Sequence, residues 1–285
     1  MAYRTRFAPS PTGLLHLGHA FSAITAYERA REAEGQFLLR IENIDTTRSR
    51  PEFEDAILSD LKWLGLDWEH PVTRQSERFD VYADAVRKLR DLGLVYPCTC
   101  TRRDIAAAVA ARQEGVDQPP VYPGTCRGRT DAPVDAAWRL NMSAAIDHLG
   151  GAAAVAELTW TETGPDCAGC HHLDAEKLLK EHGDIVLARR DIGTSYNVAV
   201  VVDDAEQGIT EVVRGLDLFE ETPVHRLLQA LLNLPVPDWH HHRLIRDENG
   251  KRLAKRDDAK SLASLRDAGR TPADVARMLS LDHGF

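Results

Sequence analysis

The sequence predicts an α/β fold: a Rossmann-type doubly wound parallel sheet, split by a cysteine-bearing insertion and followed by a short C-terminal helical segment. Three observations carry this. Strand, helix and strand follow one another within the first 41 residues, the spacing of a βαβ unit. The rhythm breaks between Cys98 and Asp184, where cysteines, Pro119-Pro120 and irregular stretches take over. It resumes at Val198–Val202, a β-branched run with the continuous apolar pattern of a strand buried on both faces. At 285 residues, 43% hydrophobic and 28% charged, the chain has the length and balance to bury a core.

Each element follows from its local pattern. Tyr3–Ala8 is the first predicted strand, broken by Pro9, Pro11 and Gly13. Leu17, Phe21, Ile24 and Tyr27 recur at helical spacing, and Gly35 is the expected stop. Gln36–Ile41 is a short apolar strand. Pro51–Leu64 is a helix with Pro at its first position and Phe53, Ile57, Leu61 and Leu64 on one stripe, ended by Gly65. Ser76 is the expected cap of a helix that buries Tyr82, Val86 and Leu89 and stops at Gly93. An alanine-rich helix, Ile105–Ala111, lies in the insertion, and a helix over Pro223–Leu234 is closed by Pro235 and Pro237. A strand, a basic loop and two short helices complete the chain. The expected divisions are 1–97 with 185–240 as the two halves of the sheet domain, 98–184 as the insertion, and 241–285 as the C-terminal segment.

Charge narrows the function. With 35 basic against 44 acidic residues the net charge is -9, which argues against coating nucleic acid by bulk electrostatics. Local contacts remain open. Pro97–Thr130 holds five arginines (102, 103, 112, 127, 129) against three acids, and Arg243–Arg256 holds six basic residues against two. Both flank the chemical motifs, as a phosphate-lined path would. No apolar run approaches the ~18 residues of a membrane span, and the start lacks an apolar signal core, so no membrane partner and a cytoplasmic location are expected.

The most informative stretch is Arg6–His19, RFAPSPTGLLHLGH. Its two histidines fall in the first turn of a helix and on one face. A helix start offers free N–H groups and the positive end of the dipole, a natural phosphate site. Gly18 lets a flat ligand such as a purine approach the backbone. Late in the chain, Glu248–Arg256 (ENGKRLAKR) is a basic loop after an Asn-Gly turn.

Pro9–His19 resembles the "HIGH" signature of class I aminoacyl-tRNA synthetases in the form used by their glutamyl branch. HxGH alone also occurs in nucleotidylyltransferases that do not contact tRNA. Arg252–Arg256 (RLAKR) resembles the family's "KMSKS" loop, with Arg for the first Lys, Leu for Met and Ala254 for Ser. The resemblance implies that His16, His19 and Lys255 are catalytic and that, with Gly18, they bind ATP. Attack of a carboxylate on the α-phosphate builds charge on phosphoryl oxygens and departing pyrophosphate, which fixed cations and N–H dipoles stabilise. It also implies a glutamate pocket of Arg6, Phe7, Ala8, Pro9, Ser10, Glu42, Tyr196 and Arg214. In it Glu42 holds the α-amino group and a planar arginine fork meets a carboxylate.

Five cysteines in close spacings fit a cytosolic metal site better than disulfides. Cys98, Cys100, Tyr122 and Cys126 resemble the structural zinc site of short glutamyl-synthetase paralogues. Thiolates suit Zn²⁺ in a tetrahedron. On spacing alone Cys167 and Cys170 are the better half-site, so a four-thiolate set of Cys98, Cys100, Cys167 and Cys170 also stands. CxxCH, which is also the haem c pattern, lacks an export signal here. The zinc assignment makes 98–184 a zinc-containing insertion.

Thirty residues follow Lys255, too few for a further domain of typical size. The resemblance therefore narrows to short paralogues without an anticodon-binding domain. It implies activation of L-glutamate with ATP and Mg²⁺, then esterification to queuosine in the anticodon loop of tRNA(Asp), with the insertion gripping that anticodon stem-loop. A non-tRNA nucleotidylyltransferase and a catalytically silent tRNA-binding paralogue are the competing expectations.

Overall fold

The computed structural model describes residues 2–110, 121–245 and 261–281. The first half runs β1 (Arg4–Phe7), α1 (Leu17–Glu32), β2 (Gln36–Ile41), α2 (Pro51–Trp63), β3 (Glu69–Arg74) and α3 (Phe79–Asp91). The middle runs β4 (Val95–Cys98), α4 (Arg102–Ala110), β5 (Ala137–Leu140), α5 (Met142–His148), α6 (Ala152–Ala156), β6 (Thr159–Glu162), β7 (Gly169–His172), α7 (Ala175–Lys177) and β8 (Val186–Ala188). The last part runs α8 (Tyr196–Glu206), β9 (Glu211–Gly215), α9 (Thr222–Leu232), β10 (Asp238–His242), α10 (Leu262–Asp267) and α11 (Pro272–Met278).

Parallel pairing dominates the main layer. β1 pairs with β2 from Arg4↔Gln36 to Phe7↔Leu39, and β3 adds to the far side of β2. β9 pairs with β10 from Asp238↔Glu211 to His242↔Gly215, and β6 joins β10 at Trp239↔Glu162. The two ladders meet at β1 and β9, where the Thr210 N–H donates to the Arg4 carbonyl (2.9 Å) and the Arg4 N–H to the Thr210 hydroxyl (2.8 Å). β4, β5 and β8 form a separate antiparallel sheet. The stretch 98–184 is thus shared between two sheets: β5 stands beside β4 and β8, whereas β6 and β7 extend the parallel layer.

Val198–Val202 is a correction: it forms the middle of α8, not a strand. The Ser195 hydroxyl caps it by accepting the Val198 N–H, and Val198 to Asp204 are all buried. A helix that is apolar all round gives the same continuous run as a doubly buried strand. Helix propensity costs each valine well under ~1 kcal/mol, whereas full burial returns about 1.5–3 kcal/mol per large apolar side chain, so packing decides.

Smaller differences have equally local causes. α1 ends at Glu32, and Glu34, not Gly35, takes the left-handed turn (φ 50°). Gly35 instead permits a close approach, since a Cβ there would lie 2.4 Å from the Tyr3 carbonyl oxygen. Ser76 sits in a short turn before α3, whose N-cap is Arg78. Asn233 (φ 52°) closes α9 before the prolines. The expected Ile105–Ala111 helix begins earlier, at Arg102; Ala111, like Pro119 and Pro120, lies outside the described residues.

Two apolar cores flank the sheet. One joins α3, α8, α9 and β9 around Tyr82, Val198, Leu227 and Trp239. The other joins α1 and α2 to the C-terminal helices through Ile24, Ile57, Leu61, Leu262, Leu265 and Val275. Among the described residues no helix is long and apolar enough to cross a membrane.

Candidate active site

The two histidines cap α1 with each other's backbone. His16 is the N-cap, and its Nδ1 accepts the Gly18 N–H (3.1 Å); His19 Nδ1 accepts the His16 N–H (3.2 Å). Their rings lie 3.8 Å apart. Because both Nδ1 atoms accept, a neutral ring at either position carries its proton on Nε2, beside a helix start. Gly18 serves this cap directly: a Cβ there would fall 3.0 Å from Cε1 and 3.2 Å from Nδ1 of His16.

Beside this turn opens a cleft of about 500 Å³ that brings together Arg6, Phe7, Ala8, Pro9, Ser10, Glu42, Tyr196, Arg214 and His19. The strand ends of β1, β2 and β9 and the first turn of α8 supply the polar walls. This is the C-terminal edge of a parallel sheet, where α/β folds place ligands. Lys255 and the loop 248–256 lie outside the described residues. Ser261, the first described residue after them, bridges to His16, and the Leu262 N–H donates to the Leu15 carbonyl (2.8 Å).

The cleft's two buried arginines differ in their partners. Arg6 points its fork at Asp204, Nε to Oδ1 at 2.9 Å and Nη2 to Oδ2 at 3.2 Å, with Nη1 on the Val213 carbonyl. Asp204 also takes Arg40 Nη1 (2.7 Å), and Arg40 Nη2 reaches Glu42 (3.1 Å). Asp204 is pushed up by burial, but Arg6 and Arg40 outweigh this and hold it well below the usual carboxylate range. Burial pushes the Glu42 carboxyl up despite Arg40 and Arg6.

Among the described residues, Arg214 is held by neutral groups only. Its Nε donates to His241 Nε2 (3.0 Å), Nη1 to His225 Nδ1 (3.2 Å), and Nη2 to the Leu218 carbonyl (3.0 Å) and Thr222 hydroxyl (2.9 Å). An arginine has no acceptor, so both histidine nitrogens must accept. Burial, then the Arg214 charge, drives His225 well below its ordinary value and keeps it neutral, with Nε2 2.9 Å from the Asn197 amide oxygen. Burial also pulls the Arg214 guanidinium down, as expected of a cation removed from water.

Asp204, Asn197, His225, His241, Arg40 and Glu162 were not singled out from the sequence. The signals present were the Asp-Asp pair closing the valine run and the three histidines of β10. Neither has a spacing that specifies chemistry without the fold.

A second centre lies at the end of β4. Sγ of Cys98, Cys100 and Cys126 lie within 4.8 Å of one another. The Tyr122 hydroxyl is 3.4 Å from Cys98 Sγ and 3.5 Å from Cys100 Sγ, and Cys100 Sγ is 3.6 Å from Cys126 Sγ. A zinc tetrahedron with Zn–S of about 2.3 Å has edges of roughly 3.8 Å, so this donor set fits. Arg139 lies over the Tyr122 ring at 3.9 Å. Cys167 and Cys170 belong to the β6–β7 hairpin in the other sheet and join no such cluster among the described residues, which disfavours the four-thiolate set.

Comparison with known proteins gives the family. The family described as tRNA synthetases class I (E and Q), catalytic domain, matches residues 2–134 and 174–282. A glutamyl-Q tRNA(Asp) synthetase of Rhodobacter capsulatus is 53% identical over 285 residues, covering 97% of this chain and 99% of its own. A glutamate–tRNA ligase of Aquifex aeolicus is 39% identical over 98% of this chain, but the match covers 56% of that protein. Among solved structures, a glutamate tRNA ligase from Elizabethkingia meningosepticum in complex with its amino acid superposes with a TM-score of 0.70 at 26% identity. It covers 90% of this chain, which spans about half (52%) of that one. A methionyl-tRNA synthetase of Mycobacterium tuberculosis, at TM-score 0.58 and 11% identity, shares the fold.

Proposed function

The chain belongs to the class I tRNA synthetase family of the glutamate and glutamine type, and on that premise we propose what it does. It activates L-glutamate with ATP and Mg²⁺ to glutamyl-adenylate and transfers the glutamyl group to queuosine in the anticodon loop of tRNA(Asp). The observation that carries this is the cleft in which His19 of the HxGH turn meets the Glu42 carboxyl and the buried Arg214, whose partners among the described residues are all neutral.

The chemistry follows from those partners. Arg214, lacking a carboxylate of its own, takes a substrate carboxylate, the charge-assisted contact that repays its burial. Arg6 is already satisfied by Asp204 and shapes the same wall, while Glu42 receives the α-ammonium. The α-carboxylate attacks the α-phosphorus and pyrophosphate leaves. His16 and His19 donate their Nε2–H to phosphate oxygens as charge develops, and Lys255 supplies a cation from the basic loop. A hydroxyl of the queuosine cyclopentenediol then attacks the mixed-anhydride carbonyl, and AMP leaves.

Cys98, Cys100, Tyr122 and Cys126 hold Zn²⁺ in a structural role, tying the segment after β4 to the turn around Cys126. The 98–184 segment, with Arg102, Arg103, Arg127 and Arg129, grips the anticodon stem-loop. Charging tests the proposal. Labelled glutamate is expected to enter tRNA(Asp) that lacks its 3′-terminal adenosine, and to be refused by queuosine-free tRNA. Label that needs the terminal adenosine instead would mark an ordinary aminoacylating enzyme. Pyrophosphate exchange without glutamate would mark a non-tRNA nucleotidylyltransferase.

A further inference from the structure

The segment 135–173 lies between the two stretches that match the family, yet its β6–β7 hairpin sends a buried carboxylate towards the amino-acid cleft. We propose that Glu162 is a positioning residue for amino-acid selection. It fixes His241 as the Nδ1–H tautomer, which grips Arg214 through an uncharged acceptor and reserves the guanidinium's charge for the substrate carboxylate. This rests on the glutamate reading of the cleft.

The geometry leaves little freedom. Glu162 and His241 have fully buried side chains. Glu162 Oε1 accepts two backbone N–H groups, from Gly164 (2.6 Å) and His241 (2.9 Å), and Oε2 faces His241 Nδ1 at 2.5 Å. Arg214 Nε can only donate, so His241 Nε2 must accept and the ring proton must sit on Nδ1. That proton needs an acceptor, and Glu162 is the acceptor present. Burial pushes the Glu162 carboxyl up, but the bonds from His241 and Gly164 outweigh it and hold it below the usual range. Burial likewise keeps His241 neutral. A protonated His241 would set two donors against each other at 3.0 Å.

The hairpin is built to deliver this oxygen. The Thr163 N–H donates to the Trp239 carbonyl at 2.7 Å, locking the strand end beside β10. At Gly164 a Cβ would lie 2.2 Å from the His241 carbonyl oxygen and 2.7 Å from Glu162 Oε1, so a side chain there would push the carboxylate off the histidine.

Glu162→Gln makes the test sharp. The two backbone donors require the amide oxygen at the Oε1 place, so the NH₂ group faces His241 Nδ1 and forces the proton onto Nε2, against Arg214. Side-chain ¹H–¹⁵N spectra are expected to show His241 switching from Nδ1–H to Nε2–H. In glutamate-dependent pyrophosphate exchange, KM for glutamate is expected to rise about tenfold or more, the cost of one opposed buried donor, with KM for ATP unchanged. An unmoved tautomer, an unmoved glutamate KM, or equal rises in both KM values would overturn the proposal. Should that variant fail to fold, His241→Gln, which keeps an acceptor at the Nε2 place, is compared with His241→Leu. A glutamate KM about tenfold higher for Leu supports the relay, and equal values reject it. A parent protein without glutamate-dependent exchange would sink the glutamate reading instead, and the spectra would still decide the tautomer.

Discussion

Gly18 shows how much one hydrogen atom can decide. The sequence suggests that it opens the backbone to a flat ligand, whereas the structure gives it the task of making room for the His16 ring. Gly18→Ala separates activity from stability, because Ala's advantage of about 1 kcal/mol as a helix former offsets a similar loss from the His16 cap and leaves the melting temperature little changed. The added methyl displaces the His16 ring from its cap, and pyrophosphate exchange is expected to fall by roughly 10², as for one misaligned donor. Retained exchange in a folded variant would remove His16 from the proposed chemistry. Arg6 to Ser10, Glu42, Tyr196 and Arg214 were named through the family resemblance, and the structure brings them to one cleft. Their supporting groups were not named. Asp204, His241 and Glu162 act through contacts 198, 27 and 79 residues apart in sequence, and no local pattern records such pairings.

At the scale of elements, βαβ periodicity, the Pro51 start of α2 and the glycine stops at Gly65 and Gly93 were readable because they are short-range chemistry. α8 was not, since an all-apolar run does not distinguish 3.6 from 2.0 residues per repeat. The antiparallel sheet of β4, β5 and β8 was hidden for another reason: its strands are three or four residues long and far apart in sequence. Two features tie it together. Asp184, beside β8, takes Arg127 through both oxygens (2.8 and 3.0 Å) and the Met142 N–H (3.0 Å). The cysteine cluster is the other. Chelation is therefore expected to lower a first, partial unfolding transition in calorimetry while ATP binding persists, with one zinc per chain released. Loss of ATP binding in step with zinc would show that the two sheets do not unfold separately.

For the whole molecule, the C-terminal helices close the second core, and an ion pair between a buried aspartate and a half-buried arginine marks the join. Asp60 of α2 is fully buried and accepts Arg266 Nη1 at 2.9 Å. Burial raises the Asp60 carboxyl to about 6, with Arg266 opposing. A carboxyl raised in the folded state is favoured while protonated. Its stability is fully present below the unfolded value near 4, and is lost as pH rises towards about 6. Asp60→Asn mimics the protonated form. Its melting temperature relative to the parent is expected to climb between pH 4 and pH 6 and then level off. A difference that stays flat across that window would mean the pair is solvated.

The bridge between His16 and Ser261 has a consequence for how the protein comes into being. The histidine turn is translated early, but its strand partner and Leu262, which bonds the neighbouring Leu15, leave the ribosome long afterwards. Until then the second core lacks Leu262, Leu265 and Val275. A nascent chain thus carries the histidine turn without this partner for most of its synthesis, and the turn is completed only when the two distant stretches dock.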